Sequence, residues 1–164
     1  MLNIFGNKKK TPKTTLEQTL SVILDQGQFL LSFNIKEEEG FQIDIFGEDE
    51  GLLKAREGRL LSAFQIYLLR VLQKEFPGEA HRLLVDSNGF WEEKQEKLLD
   101  LTDRLIKKTL ETGRPVFFKK ALSPFQRALV HKRVEKNEGL FSQSQGEGEY
   151  KIVKLIPNSF KNGQ

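Results

Sequence analysis

The sequence predicts an α+β protein made of two small units in succession. Apolar and polar residues alternate over residues 29–36 and 41–47, which is the period of a strand with one buried face. Over residues 59–76 and 90–112 the apolar residues recur instead at helical spacing. The turn-and-cap cluster at residues 86–89 lies between these two helices and marks the junction of the units. Helices and strands thus occur in both halves, as an α+β arrangement requires.

The first half is predicted to have the element order αββααβ. Thr14 or Thr15 caps the first helix and Gly27 ends it. The two alternating strands form a hairpin, and the helical pattern that follows is interrupted at residues 55–58. The predicted elements are a helix over residues 14–26, strands over 29–36 and 41–47, helices over 50–54 and 59–76, and a strand over 82–85.

The second half is predicted to have the order αβαββ. Gly113 ends its long helix, while Ser123 and Pro124 are suited to the cap and the first position of a shorter one. The tail from Pro157 is predicted to fray. The predicted elements are a helix over residues 90–112, a strand over 115–119, a helix over 123–136, and strands over 140–144 and 150–156.

Charge is distributed unevenly along the 164 residues. Residues 1–13 hold four lysines and no acid, which predicts a disordered basic arm. Residues 14–88 hold 7 basic and 13 acidic side chains, and residues 89–164 hold 15 basic and 10 acidic ones. Seven cations and one acid fall between residues 114 and 136. Any contact with a polyanion is therefore expected in the second half.

Composition argues against several classes of function. The chain has no cysteine and two histidines, which argues against disulfides, thiolate chemistry and a structural zinc site. No apolar run has the length of a membrane span or the form of a signal peptide, so a cytoplasmic protein is expected. No glycine-rich phosphate loop joins a strand to a helix, so no cofactor is predicted.

The helix that begins at Ser123 carries the pattern with the clearest chemical meaning. Arg127 and His131 lie four residues apart on one face, where both can donate to a phosphate or a base edge. The alternative without a ligand is a solvated ladder of i, i+4 pairs that continues to Glu135. Four further cations are candidates for phosphate contacts, namely Lys119, Lys120, Lys132 and Arg133.

Two adjacent aromatic residues precede this helix. Phe117 and Phe118 fall on a predicted strand, so their side chains point to opposite faces. One of them could stack on a base, as aromatic residues do in single-strand binders. The favoured alternative is that both are buried between the strand and the helices.

These motifs resemble, in their order, the bacterial Jag family, the SpoIIIJ-associated proteins also called KhpB or EloR. The resemblance covers residues 14–157 and is carried in the first half by residues 52–53, 58–61, 63–65 and 85–86. In the second half it is carried by Ser123-Pro124-x-x-Arg127-x-x-x-His131, by Ser144-x-Gly146 and by an apolar strand closed by Pro157. It implies a type II KH domain over 14–88, an R-three-H (Arg-x-x-x-His) domain over 89–157 and a tail over 158–164.

The resemblance also implies roles for individual residues of the second half. Arg127 and His131 match the signature pair, which implies that they face single-stranded nucleic acid. Ser144 and Gly146 match the family's Ser-x-Gly turn, which approaches the strand with a small side chain and bare backbone. Lys151 stands where the family usually has arginine, so the charge is kept and the planar fork is lost.

The phosphate-clamping loop of the KH domain is where this chain departs from the family. The Gly-x-x-Gly pattern reads Ala-Arg-Glu-Gly here, so its first glycine is missing and an acid stands where it would repel phosphate. The loop is therefore either a weakened clamp or part of a KH fold kept as a scaffold or protein-contact surface, and the second is slightly favoured. The loop candidates are Lys54, Ala55, Arg56, Glu57, Gly58 and Arg59.

The expected function is that of a non-enzymatic protein that binds single-stranded RNA, or alternatively single-stranded DNA, mainly through its second half. The resemblance implies a post-transcriptional regulator or RNA chaperone. The alternative is an adaptor whose acidic KH-like half docks a protein partner and whose RNA binding is weak. A nuclease that uses His131 as acid and base is disfavoured, because no second histidine or acidic cluster lies near it in the sequence.

Overall fold

Four α-helices and two three-stranded sheets make up residues 10–163, the part of the chain that the structure, a computed structural model, describes. This confirms the predicted α+β class. Residues 1–9, most of the predicted basic arm, and residue 164 lie outside the described residues. The elements are α1 (Pro12–Gln26), β1 (Leu31–Glu37), β2 (Phe41–Gly47), α2 (Glu50–Glu75), β3 (Leu83–Asp86), α3 (Phe90–Thr112), β4 (Val116–Phe117), α4 (Pro124–Val134), β5 (Leu140–Gln145), β6 (Ile152–Pro157) and a 3-10 helix (Asn158–Gly163).

The described residues divide into two compact units between Trp91 and Glu92. The sequence places the junction three residues earlier, at the turn before α3. None of the helices described between residues 10 and 163 is long and apolar enough to cross a membrane.

The first helix begins earlier than predicted. Its N-cap is Thr11, whose hydroxyl accepts from the Thr14 N–H, and the Thr14 hydroxyl accepts in turn from the Thr11 N–H at 2.9 Å. The prediction of Thr14 or Thr15 as the cap was therefore wrong, because Thr14 is the distal partner of a capping box. Lys13 lies in this helix and Lys10 pairs with Glu75 of α2, so these two residues of the predicted arm are held by the N-terminal unit.

The N-terminal sheet has the strand order β1-β2-β3, with β1 antiparallel and β3 parallel to β2. The predicted alternation is confirmed in β2, where Phe41, Ile43 and Ile45 are buried. These side chains pack against the leucines of the two long helices, which is the hydrophobic driving force for this unit. The helical contributors to this core are Leu16, Leu20, Leu24, Leu53, Leu61, Phe64, Leu68 and Leu72.

The predicted interruption within the second helical region is confirmed. Helix α2 contains four residues with non-helical backbone angles, from Ala55 to Gly58, which separate a short helical segment from a long one. The N-terminal unit therefore has the element order αββααβ, with the break on the N-terminal side of the long segment.

The outer edge of β3 is closed by two side chains. Val85 is fully buried, its N–H donates to Oε1 of Gln65 at 3.0 Å, and its carbonyl accepts from Nε1 of Trp91 at 2.9 Å. Because β3 is the last strand of its sheet, these backbone groups would otherwise lack a strand partner.

Replacing Gln65 with methionine is expected to lower the free energy of unfolding by about 1–3 kcal/mol, because the buried Val85 N–H loses its acceptor. The measurement is a urea titration of the full chain. The matched control is Ile66→Met on the exposed side of the same helix, for which a change within about 0.5 kcal/mol is expected. Equal stabilities of the two variants would contradict this role for the Gln65 amide.

The C-terminal unit packs helices α3 and α4 on an antiparallel sheet of order β4-β6-β5. The predicted bounds of α3 are confirmed, and α4 begins at Pro124 with Ser123 as a capping-box N-cap, also as predicted. Pro157 does not belong to a frayed tail, since it is the buried last residue of β6 and a 3-10 helix follows it. The core of this unit is Ile106, Phe118, Leu122, Val130, Val134, Leu140, Val153 and Leu155.

Candidate nucleic-acid interface

Arg127 connects the start of α4 to the glycine-rich turn between β5 and β6. Its Nη1 donates to the carbonyl oxygen of Leu122 at 3.1 Å and to that of Glu149 at 2.5 Å. The backbones of Leu122 and Lys151 also exchange two hydrogen bonds, so the helix start and the turn are joined at two points. The guanidinium is thereby fixed in place beside the turn that contains Gly146.

His131 lies one turn further along α4, over two serines of β5. Its Nδ1 is 2.6 Å from Oγ of Ser142 and its Nε2 is 2.9 Å from Oγ of Ser144. Both ring nitrogens therefore face the sheet. His131 hydrogen-bonds to the two serines of β5 and not to Glu135, which differs from the predicted alternative of a solvated ladder. Ser144 was predicted as a site residue and Ser142 was not. Ser142 and Ser144 lie two residues apart on one strand and so share a face, which is the signal that would have identified Ser142.

The pKa of His131 lies below the ordinary value of a histidine. Partial burial of the imidazole is the main cause, the charge of Arg127 acts in the same direction, and the carboxylate of Glu135 opposes both. The lowered pKa favours the neutral ring, in which one nitrogen donates a hydrogen bond and the other accepts one. A serine hydroxyl can do either, so the two serines accommodate both tautomers.

Stability of the C-terminal unit is expected to decrease as the pH falls below about 6.5, the ordinary value for histidine. The folded pKa of His131 is lowered, so its neutral form contributes stability above the unfolded value, and this is lost as the pH falls through the folded value. Urea titrations at pH 7.5 and at pH 5.5 measure the loss, at pH values still above the carboxylate range. His131→Gln should show a smaller loss than wild type, whereas Lys132→Gln, an exposed neighbour, should keep the full loss. Equal losses in all three proteins would contradict the assignment.

Among the other predicted cations, Arg133 already has a protein partner. Its Nε donates to Oδ1 of Asp103 at 2.7 Å and its Nη2 to Oδ2 at 2.5 Å, which ties α4 to α3. The pair lowers the pKa of the Asp103 carboxyl and raises that of the guanidinium. The bidentate face of Arg133 is thus used within the protein.

The remaining predicted residues of this half differ in exposure. Lys119, Lys120 and Lys132 are exposed, whereas Lys151 is half-buried and its backbone is paired with Leu122. Gly146 is exposed, has φ +117°, and has no heavy atom within 4 Å of the position of an added Cβ. Positive φ is the reason for glycine there, because L side chains rarely adopt it.

Phe117 departs from the favoured expectation that both aromatic residues are buried. Phe118 is 3% exposed and belongs to the core, but Phe117 is 47% exposed on the other face of the sheet. The prediction that both are buried was therefore wrong for Phe117. Alternation along a strand sends the two neighbours to opposite faces, and only one face of this sheet is covered by the core.

The predicted loop of the N-terminal unit has an unusual backbone. Arg56, Glu57 and Gly58 have φ of +49°, +66° and +77°, whereas Ala55 is extended at φ −59° and ψ 153°. Alanine can therefore replace the family's first glycine at position 55 without backbone strain. Glu57, in contrast, has a backbone conformation that favours glycine.

The side chains of this loop also differ in what they can offer to a ligand. Lys54 donates to Oε1 of Glu50 at 2.8 Å, so its ammonium is paired within α2. Gly58 is buried. The exposed residues of the loop are Ala55, Arg56, Glu57 and Arg59.

Comparison with known proteins places a family match on the C-terminal unit. Residues 96–157 match the family model of the R-three-H domain, which confirms the domain predicted for the second half. The chain is also similar to the RNA-binding protein KhpB of Clostridium symbiosum, with 23% identity over 138 residues that make up 84% of this chain. The chain covers 61% of the length of that relative. The segment that positions Arg127 and His131 is thus similar to an R-three-H domain, within a chain similar to a protein named for RNA binding.

Proposed function

We propose that this protein binds single-stranded nucleic acid, with RNA as the first candidate, and that it does so without catalysing a reaction. The observation that carries the proposal is the fixed Arg127 and His131 pair inside the segment that matches the R-three-H domain. The excess of cations in residues 89–164 supports a polyanionic ligand. A cytoplasmic post-transcriptional regulator or RNA chaperone of bacterial Jag type is the cellular role that fits such binding.

Arg127 is proposed as the main phosphate ligand. Both of its hydrogen bonds to carbonyl oxygens use Nη1, so the edge formed by Nε and Nη2 keeps its donors. That edge has the planar fork that matches two oxygens of one phosphate. Ser144, Gly146, Lys132 and Lys151 are proposed as the neighbouring contacts along the strand.

The N-terminal unit is proposed to be a type II KH-like domain that contributes less to binding. Its element order and the break at residues 55–58 support this assignment. The loop exposes Arg56 and Arg59, but Glu57 lies between them and Lys54 is paired with Glu50. Repulsion between Glu57 and a phosphate is the physical reason to expect a weakened clamp.

A second candidate function is that of an adaptor that docks a protein through the N-terminal unit. The observation that favours it is a pair of exposed apolar residues on α2, Ile66 at 62% and Tyr67 at 53% exposure, in an acidic half of the chain. Such a surface suits a protein partner better than a phosphate backbone.

Fluorescence anisotropy with labelled single-stranded RNA, single-stranded DNA and duplex RNA tests the proposal. Wild type is expected to prefer single strands, and the logarithm of its affinity should fall with the logarithm of salt concentration at a slope of about −2 to −3, as for three or four phosphate contacts. Arg56→Glu is expected to weaken binding less than Arg127→Ala does, and Glu57→Gly is expected to strengthen it slightly. Absence of binding at micromolar concentration would overturn the proposal in favour of the adaptor.

A further inference from the structure

One face of the C-terminal sheet carries a row of three side chains that the Arg127 site does not use. Phe117 of β4 lies directly opposite Lys154 of β6, and Lys154 lies directly opposite Gln143 of β5. Directly opposed residues of neighbouring strands share a face, so the three form a line across the whole sheet. We call Phe117, Lys154 and Gln143 the sheet-face row.

The sheet-face row lies on the side of the sheet away from the core. Its neighbours along β6, Val153 and Leu155, are fully buried and point to the core face. Ser142 and Ser144, which contact His131, alternate with Gln143 on β5 and therefore also belong to the core face. The row and the Arg127 site thus occupy opposite faces of the same sheet.

The row is accessible and has a charged partner for its ring. Phe117 is 47% exposed, Gln143 is exposed, and the half-buried Lys154 places its Nζ 5.0 Å from the centroid of the Phe117 ring. A cation over an aromatic face is a moderate attraction at an exposed site. The ring and the ammonium are therefore held side by side on the face of the sheet away from the core.

We propose that the sheet-face row is a second subsite for single-stranded nucleic acid, in which one base stacks on Phe117. Lys154 would leave the ring when the base arrives and pair with the adjoining phosphate, and the amide of Gln143 would reach the base edge. An aromatic platform, an ammonium and an amide on three adjacent strands are the groups with which sheets bind unstacked bases. The inference rests on the proposed function and extends the bound strand from the face of Arg127 around an edge of the sheet.

The charge of this unit favours nucleic acid as the occupant. Residues 89–164 carry 15 basic and 10 acidic side chains, and the charged member of the row itself is a lysine. A polyanion with flat apolar bases complements both properties of the row, the positive charge and the exposed ring.

Two variants of the row give different signatures in anisotropy titrations with a single-stranded RNA of about twelve nucleotides, a length within the site sizes of single-strand binders. Phe117→Ala should weaken binding about fivefold or more at every salt concentration, because stacking is lost and no charge is removed. Phe117→Tyr should keep the affinity, since its ring can still stack. Lys154→Gln should reduce the salt slope by about one unit, as expected for one phosphate contact.

The controls separate this subsite from the proposed function. Tyr67→Ala removes an aromatic residue of comparable exposure from the N-terminal unit and should leave binding unchanged. An abasic phosphodiester of the same length should bind wild type and Phe117→Ala equally, because it offers no base to stack. If wild type binds RNA and Arg127→Ala weakens it while Phe117→Ala binds like wild type, the subsite is refuted and the proposed function stands. If wild type does not bind, both are refuted.

Discussion

Replacing Gly58 with alanine is expected to lower the free energy of unfolding of the N-terminal unit by about 2–5 kcal/mol, because the added methyl group meets both a left-handed backbone and two packed rings. Gly58 has φ +77°, and an added Cβ would lie 2.5 Å from Cε1 of Phe90 and 2.8 Å from Cη2 of Trp91. The left-handed backbone contributes about 1–2 kcal/mol of this cost, and displacement of the two packed rings contributes about 1–3 kcal/mol.

The matched control for this variant is Gly78→Ala. Gly78 has φ +89° and no heavy atom within 4 Å of the added Cβ, so only the backbone contribution of about 1–2 kcal/mol is expected. Urea titrations followed by the fluorescence of Trp91, the one tryptophan of the chain, measure both variants. If the two substitutions lower stability equally, the packing of Phe90 and Trp91 against Gly58 contributes nothing.

Replacing Arg127 with alanine is expected to weaken binding of single-stranded RNA by about 1–3 kcal/mol, the range of a charged hydrogen-bonded contact. The expectation rests on the Nε and Nη2 edge, which donates to no group among residues 10–163, and on the two hydrogen bonds from Nη1 that hold this edge beside the turn. Loss of the bond to the Glu149 carbonyl also leaves the turn joined to the helix start only by the Leu122 and Lys151 backbone pair, so the position of Gly146 relative to α4 becomes less defined.

Two further variants distinguish the geometry of Arg127 from its charge. Arg127→Lys keeps the charge without the fork and should recover only part of the affinity. Arg104→Ala removes one charge from α3 of the same unit and should change binding by less than about 0.5 kcal/mol at physiological salt. Circular dichroism verifies that each variant is folded before its anisotropy is compared. Identical affinities of wild type and Arg127→Ala across a salt series would contradict the assignment of this helix to RNA.

Local signals were sufficient to predict much of the fold. Ser123 and Pro124 identify the start of α4 because capping depends on the first helical turn alone. The break at residues 55–58 was predictable because the apolar helical pattern stops there. The start of α1 was misplaced because the local sequence offers more than one suitable cap. Thr11 and Thr14 are both good caps, and their reciprocal hydrogen bonds decide between them.

Contacts between distant parts of the chain were beyond the sequence pattern. The sequence assigns Arg133 to phosphate contacts, and nothing in it indicates that Asp103, thirty residues away, accepts from both Nε and Nη2 of its guanidinium. The exposure of Phe117 likewise depends on which face of a two-residue strand meets the core. Arg56 and Glu57 both have positive φ where the backbone leaves the helical conformation within α2. Their residue types do not predict this conformation, which L side chains rarely adopt.

The two rings that contact Gly58 determine where the N-terminal unit is complete. All three strands of its sheet end by residue 86, yet Phe90 and Trp91 come from the first turn of α3. A fragment cut at the turn before α3 would contain every strand and still lack the donor to the Val85 carbonyl and the packing against the loop. During synthesis this unit therefore cannot reach its final packing until Phe90 and Trp91, four and five residues beyond its last strand, have left the ribosome.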